Sequence, residues 1–417
     1  MKILLKNAII FDPNSHFHLK KHDLLIIDDK IVELKPKIED ESAKVIKFNN
    51  LTISPGWFDS GVSFGEPGYE ERETILNGLQ VAAKSGFTKI LLSPNTNPPT
   101  DNHSNVSHLI KQSLNNTTSL YPIGCLSLNS EGKKMSQLYD MKEAGALAFG
   151  DYKTSISNAN FLKIALEYSQ SFNGLVLSYP SNRKIDNNGI VNEGVISAKT
   201  GMKGMPDISE AIQISRDIQI LEYVGGRLHV PFISCKKSVD LIRMAKNKKL
   251  DITCSVGLPH LLFSEESVED FDSNFKIFPP LRSKDDQRAL KEGLLEGVID
   301  MVTSMHEPIN TEYKKLEFDL ALPGSIGLEA CFGVLLTLFP LDRVLDFLIR
   351  GAKRFDIKTS IIEPGSNADL TFFNPKEHSV LKNEDLYSTS KNCAFINCEL
   401  NGKVYGSYNN GKLTLVK

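Results

Sequence analysis

Thr52-Ile-Ser-Pro-Gly-Trp-Phe-Asp59 runs directly into Ser60-Gly-Val-Ser-Phe-Gly-Glu-Pro-Gly68, and the chain changes character across this stretch. Before it lie short strands joined by polar turns: Ile3 to Ile10, Leu24 to Ile27, and Ile31 to Leu34, with Asp28-Asp29-Lys30 turning between the last two. After it, short apolar runs alternate with helical stretches. The helical Glu73 to Ser85 precedes the strand Lys89 to Ser93, and Asn160 to Gln170 precedes Leu175 to Ser178. Ile208 to Tyr223 precedes His229 to Ser234, Ser238 to Asn247 precedes Asp251 to Val256, and Asp286 to Leu295 precedes Ile299 to Thr303. A βα rhythm sustained over roughly 300 residues predicts an α/β fold, a (β/α)8 TIM barrel. The C-terminus returns to strands: Ala368 to Phe373, Ala394 to Leu400, and a hairpin from Gly402 to Leu415 around Asn409-Asn410-Gly411. Residues 1–52 and 363–417 are therefore expected to form one small β domain, and 53–362 the barrel. The stretch from His306 to Gly324 lacks periodicity and is expected to be a loop at the barrel top.

Composition narrows the function classes. The chain has 417 residues, 41% hydrophobic and 24% charged, with a net charge of −3, which argues against binding nucleic acid through a basic field. No apolar run approaches the ~18–20 residues that span a bilayer, and Met1-Lys-Ile-Leu-Leu-Lys turns polar too soon for a signal peptide. Cysteines stand at 125, 235, 254, 331, 393 and 398 with no Cys-x-x-Cys pair. Buried free thiols in a reducing cytoplasm are expected.

Several segments resemble the dihydroorotases of the cyclic-amidohydrolase family, part of the amidohydrolase superfamily. Residues 52–68 are similar to the entry to that family's first barrel strand, where the pattern is Asp-x-His-x-His-x-Arg-Glu-Pro-Gly. Ser93-Pro-Asn-Thr-Asn-Pro98 resembles Met-Pro-Asn-Thr-x-Pro, and Ala148-Phe-Gly-Asp151 resembles Phe-Ser-Asp. Asn192-Glu-Gly194 through Arg216-Asp217 resembles a segment that opens Asn-Glu-Gly and closes Ala-Arg-Asp. Lys276-Ile-Phe-Pro-Pro-Leu-Arg282 resembles Lys-Val-Asn-Pro-Pro-Leu-Arg, and Gly324-Ser-Ile-Gly-Leu-Glu329 resembles Gly-x-x-Gly-Leu-Glu. The matches occur in order and cover nearly the whole chain.

The resemblance implies a chemistry with definite needs. A metal, usually zinc, activates water and polarises the scissile amide. Two histidines at i, i+2 point to one side of the barrel mouth, two more come from later strands, a carboxylate bridges, and an aspartate on the last strand moves the proton. An arginine with an asparagine holds the substrate carboxylate. Here the first two histidine positions are Gly61 and Ser63, the later two align with Tyr179 and Phe232, the aspartate with Met305, and the arginine with Gly65. Glycine offers no ligand, a serine hydroxyl is a poor one beside imidazole or thiolate, and a phenyl ring is none. Asp151 and Asn95 remain, with His306 beside the lost acid. No metal or other cofactor is expected.

The remnants also have plain readings. Asp151 is expected as a salt-bridged or solvated carboxylate with Lys153 near it, Asn95 as a turn cap, and Glu66-Pro-Gly68 as loop architecture. His16-x-His18 reads as solvated, and His103 and His108, five apart, lack helical metal-pair spacing. His260 and His306 are expected near the mouth. Lys246-Asn-Lys-Lys249 reads as an exposed helix end. Tyr179, Phe232 and Met305 are expected to plug the mouth, with the Tyr179 hydroxyl partnered by Asp151.

Three functional readings follow. The first is a catalytically silent dihydroorotase homologue of pyrimidine biosynthesis, retained as a structural partner of aspartate carbamoyltransferase and itself a homo-oligomer. The second is a cyclic-amide hydrolase with a rebuilt or metal-free site, and the third a small-molecule binding module using the vacant mouth. Neither nucleic acid nor membrane is expected as a partner.

Overall fold

Two eight-stranded sheets organise the computed structural model, which describes residues 1–416. The first is parallel and follows chain order: Trp57–Val62, Phe87–Leu92, Ser119–Gly124, Ala148–Phe149, Leu175–Leu177, Arg227–Ile233, Ile252–Gly257 and Met301–Thr303. Trp57–Val62 and Phe87–Leu92 are buried at every position, as parallel strands are when helices cover one face and the barrel interior the other. The helices form for local reasons. Ile75–Lys84 starts at Thr74, whose hydroxyl accepts from Asn77 N, and buries Ile75, Leu79, Ala82 and Ala83 against the strands. Ala159–Ser169 is capped by the Asn158 side chain and buries Phe161, Leu162, Ala165 and Leu166.

Asp59 draws the first and eighth strands together. Its Oδ1 accepts from Gly61 N at 2.9 Å and Thr303 Oγ1 at 2.6 Å, and its Oδ2 from Ser304 N at 3.0 Å. Ser63 N adds a bond to the His306 carbonyl at 2.8 Å. The result is a nearly closed (β/α)8 barrel.

The second sheet takes strands from both ends of the chain. Thr52–Pro55 lies between Lys2–Ile10, which it pairs in parallel, and Leu370–Val380, which it pairs antiparallel with Phe373 opposite Thr52. Lys21–Ile27 and Lys30–Lys35 extend one side, and Glu399–Asn409 and Lys412–Leu415 the other. The hairpin turns on Asn410 and Gly411, with φ of 53° and 67°, the left-handed pair a tight two-residue turn requires. A buried Lys89–Asp369 ion pair ties this sheet to the barrel.

Ala394 to Leu400 departs from expectation. The strand begins only at Glu399; Ala394 N bonds the Ser325 hydroxyl, and Phe395 is fully buried in the barrel's core as part of a loop. An apolar run carries no mark of which body it will pack against.

The segment 306–324 has one helical turn, Thr311–Lys314, and is otherwise loop. Two buried ammonium groups pin it. Lys314 Nζ donates to the carbonyls of Lys276, Leu322 and Gly324 at 3.1, 3.1 and 2.8 Å, while Lys276 Nζ donates to those of Phe318 and Asp319 at 2.7 and 3.0 Å. Phe318 inserts into a small apolar core with Val191, Ile196, Val268, Ile277 and Leu281. Among the described residues, no helix is long and apolar enough to cross a membrane.

Candidate functional site

The mouth is shaped by two interruptions of strand pairing. Register shifts fall between Asp59 and Val62 on the first strand and between Val230 and Ile233 on the sixth. Such bulges re-aim side chains at barrel rims. Phe232 has a φ of 56° and Met305 a φ of 51°, left-handed conformations that cost a non-glycine residue of order 1 kcal/mol or more. Both aim apolar side chains inward. Phe232, Met305 and Tyr179 form one buried apolar cluster, flanked by Tyr152 and Phe278. Tyr179 stacks on Phe278 at 5.8 Å, and Tyr152 meets Phe232 edge-on at 6.4 Å.

The remaining positions close around this plug. A Cβ on Gly61 would lie 2.3 Å from Thr303 Oγ1 and 2.7 Å from Phe232 Cε1. One on Gly65 would lie 2.3 Å from the Tyr69 carbonyl oxygen, so backbone occupies the space that a side chain there would enter. Ser63 Oγ and the Asn95 side chain bond each other, Nδ2 to Oγ at 2.9 Å. Asn95 thus links two strand ends rather than capping its own turn.

Asp151 also differs from expectation. Its Oδ1 accepts from Ser127 N at 2.9 Å and its Oδ2 from Ser127 Oγ at 2.5 Å, so it organises a loop. Lys153 instead pairs with Glu307 at 2.6 Å. The Tyr179 hydroxyl is buried without a partner among the described residues, and burial pushes its phenol well above the ordinary value. The expected Tyr179–Asp151 bond is not formed among the described residues; Ser127 bonds the Asp151 carboxylate instead. Burial outweighs these donors and pushes the Asp151 carboxyl up.

His306 and His260 are both fully within the protein, and burial pushes them down to about 3 and about 4. His306 Nδ1 accepts from Leu328 N at 3.5 Å, and His260 Nε2 meets the Pro279 carbonyl at 3.0 Å. Each leaves its other ring nitrogen without a partner among the described residues, so both are neutral core histidines. Among the described residues, no three His, Cys, Asp or Glu side chains are grouped to hold a metal ion, and the donors at the mouth do not fit one. In the turn between strands Lys2–Ile10 and Lys21–Ile27, exposed His16 pairs with Glu363 at 2.7 Å. His18 is half-buried against Phe11 rather than solvated.

The retained motifs do architectural work. Glu66 Oε2 accepts from Ile75 N at 2.8 Å. Arg282 Nη1 reaches Asn192 Oδ1 at 2.9 Å and Met205 O at 2.6 Å, and its Nε reaches Ser234 Oγ at 3.1 Å. Asp217 accepts from Ser178 Oγ at 2.6 Å. Phe278 belongs to the plug yet was not among the expected site residues. Its signal lay in Lys276-Ile-Phe-Pro-Pro, where the family pattern carries asparagine at the third place. Tyr152 and Glu307 had no such signal.

Glu329 closes the last motif. Its Oε1 accepts from Tyr387 N, its Oε2 is buried without a partner among the described residues, and Glu73 and Lys391 lie near. Burial pushes its carboxyl up from 4.5 to about 7. A carboxyl that keeps its proton to higher pH when folded stabilises the fold most below its unfolded pKa, and loses that contribution as pH rises to the folded value. Wild-type stability measured against Glu329→Gln is expected to fall by about 3 kcal/mol as pH rises from 4.5 to above 7. Urea unfolding of both proteins at pH 5 and pH 8 checks this; a constant difference contradicts it.

Fold and mouth together define a cyclic-amidohydrolase-type barrel. Similar solved structures include the L-hydantoinase (dihydropyrimidinase) from Arthrobacter aurescens, with a TM-score of 0.86 and 21% identity over 100% of this chain and 96% of that one. Another is the D-hydantoinase (dihydropyrimidinase) from Thermus sp., with a TM-score of 0.81 and 21% identity over 99% and 95%. The dihydro-orotase-like family model matches residues 51–238. The dihydroorotase of Pelotomaculum thermopropionicum is 33% identical over 100% of this chain and 99% of its own length. That of Carboxydothermus hydrogenoformans is 36% identical over 96% and 95%. The chain belongs to the dihydroorotase family.

Proposed function

We propose that this chain is a dihydroorotase homologue of pyrimidine biosynthesis that does not hydrolyse dihydroorotate and instead serves as a structural partner of aspartate carbamoyltransferase. The observation that carries the silent reading is the plug: Phe232 and Met305 stand at a metal-ligand and a proton-transfer position and pack against Tyr179. Gly61, Ser63 and Gly65 at three further positions supply neither ligand nor anchor. Asp151, Asn95 and His306 persist in structural bonds. The retained motifs fit selection for a scaffold, and the partner follows from the family resemblance.

Protein purified without chelator is expected to carry well under one equivalent of zinc by mass-spectrometric metal analysis. Mixed with aspartate carbamoyltransferase from the same organism, it is expected to co-elute as a defined complex. Stoichiometric zinc bound through His260, His306 or Asp151 contradicts the silent reading and revives a rebuilt hydrolase; separate elution contradicts the partnership.

One observation favours a second reading, a small-molecule binding module. A cavity of about 510 Å³ remains outside the plug, lined by Phe278 and Leu320 with Lys153, Arg183 and Lys276. Thermal unfolding with dihydroorotate or carbamoyl aspartate tests it, since a ligand at 100 times its Kd adds about 2.7 kcal/mol.

A further inference from the structure

The end of the barrel opposite the mouth holds a cleft of about 520 Å³, lined by Arg227, Thr253, Gly297, Arg350, Lys353 and Arg354. The strands place it there. Arg227 opens the sixth strand, which carries Phe232 near its far end, and Met301 on the cleft wall opens the eighth, which runs towards Met305. The donors in this cleft are only partly used. Arg350 is committed to Asp346 and to the carbonyls of Leu294, Ile299 and Asp300. Arg227 forks onto Asp356 at 2.9 and 3.4 Å, yet its Nε lies 3.9 Å from Asp251, beyond hydrogen-bond reach. Arg354 gives its Nη groups to Asp251 and the Leu228 carbonyl. Its side chain is only 10% exposed, and its buried Nε has no acceptor among the described residues. Lys353 is exposed and has no carboxylate partner among the described residues.

These spare donors indicate the ligand. A buried charged donor left unpaired is costly, and an entering anion removes that cost. The cleft's own carboxylates do not. Asp300 is held by Lys246 at 2.7 Å, while Asp251, Asp346 and Asp356 are about half exposed, so water screens them. Lys353 is the one cation of the cleft that none of these four carboxylates answers. The Nε–H groups of Arg227 and Arg354 and the Lys353 ammonium make three donors, which suit a group with three terminal oxygens. A phosphate offers three, and a carboxylate two. Among the described residues no aromatic ring lines the cleft, so nothing there stacks on a nucleobase. Its volume falls within the ~300–1,000 Å³ of small-molecule pockets and exceeds what a phosphate group alone fills.

We propose that this cleft is a phosphate site, taking the phosphate of a small non-aromatic ester or the free ion, and that it works independently of the barrel mouth. Calorimetric titration of the full chain with glycerol 3-phosphate and with inorganic phosphate, at constant ionic strength, is expected to show one saturable site per chain below ~10 mM. Tighter binding of the ester identifies an ester as the occupant and equal binding the free ion; both uphold the site. Lys353→Glu is expected to weaken binding ~10-fold or more. Gly297→Asp is expected to do the same, since a Cβ at 297 meets nothing within 4 Å and Asp tolerates the left-handed backbone there, with a φ of 77°. Gly297→Asn, equal in size but neutral, is expected to bind as the wild type does. Positions 297 and 353 are both exposed, so circular dichroism of each variant is expected to match the wild type. Arg183→Glu at the mouth cavity is expected to leave the affinity unchanged. Absence of binding by either compound overturns the proposal. Binding that survives both Lys353→Glu and Gly297→Asp, or that Arg183→Glu abolishes, overturns it as well.

Discussion

Phe232→Ala is expected to lower stability by ~3 kcal/mol or more, the cost of removing a buried phenyl ring from a packed site. The ring contributes in two ways. It buries apolar surface worth ~1.5–3 kcal/mol, and it fills space that Gly61, Tyr152, Tyr179 and Met305 cannot close, since each is fixed by its own strand end. Alanine tolerates the left-handed backbone at 232 no better than phenylalanine does, so the loss reads packing rather than strain. Phe232→Gly removes that strain as well and should cost less than its smaller size implies. Urea unfolding of the three proteins gives both differences. A loss below about 1 kcal/mol for Phe232→Ala means the ring faces water, and the mouth is then open.

Gly61→His with Ser63→His, the obvious repair, is expected to give no dihydroorotate turnover even with added zinc, and a less stable protein. A side chain at 61 begins 2.3 Å from Thr303 Oγ1 and 2.7 Å from Phe232 Cε1. Either the first and eighth strands part or the plug is expelled, and overpacking alone costs ~1–3 kcal/mol. On the proposed reading, Tyr179, Phe232, Met305 and Gly65 still lack ligand, base and substrate anchor, and groups that act as a unit return little when restored in part. Soluble yield, unfolding midpoint and hydrolysis rate of the double variant check this. Substantial turnover would mean that Tyr179, Phe232, Met305 and Gly65 do not block the chemistry.

The barrel was legible because strand and helix periods alternate after residue 56, and parallel strands leave an unbroken apolar run in sequence. The paired terminal strands were legible in kind. Ala394 to Asn397 was not, because Phe395 is as apolar in a loop on the barrel core as on a strand. At the mouth, the reading of replaced ligand positions rests on the family resemblance alone, whereas the apolar character of Tyr179, Phe232 and Met305 matched the cluster they form. Their geometry was hidden. The bulges at Gly61 and Phe232 and the left-handed turns at 232 and 305 depend on pairing between distant strands. So does the capture of Asp151 by Ser127, 24 residues away, which no local pattern announces.

The central claim is that this dihydroorotase-family barrel does no hydrolysis, and the most direct test is dihydroorotate turnover by the purified full chain in zinc-supplemented buffer, followed alongside buffer alone. The account predicts rates that coincide within error at every protein concentration tried. A rate that rises in proportion to protein, and that chelator abolishes, contradicts it.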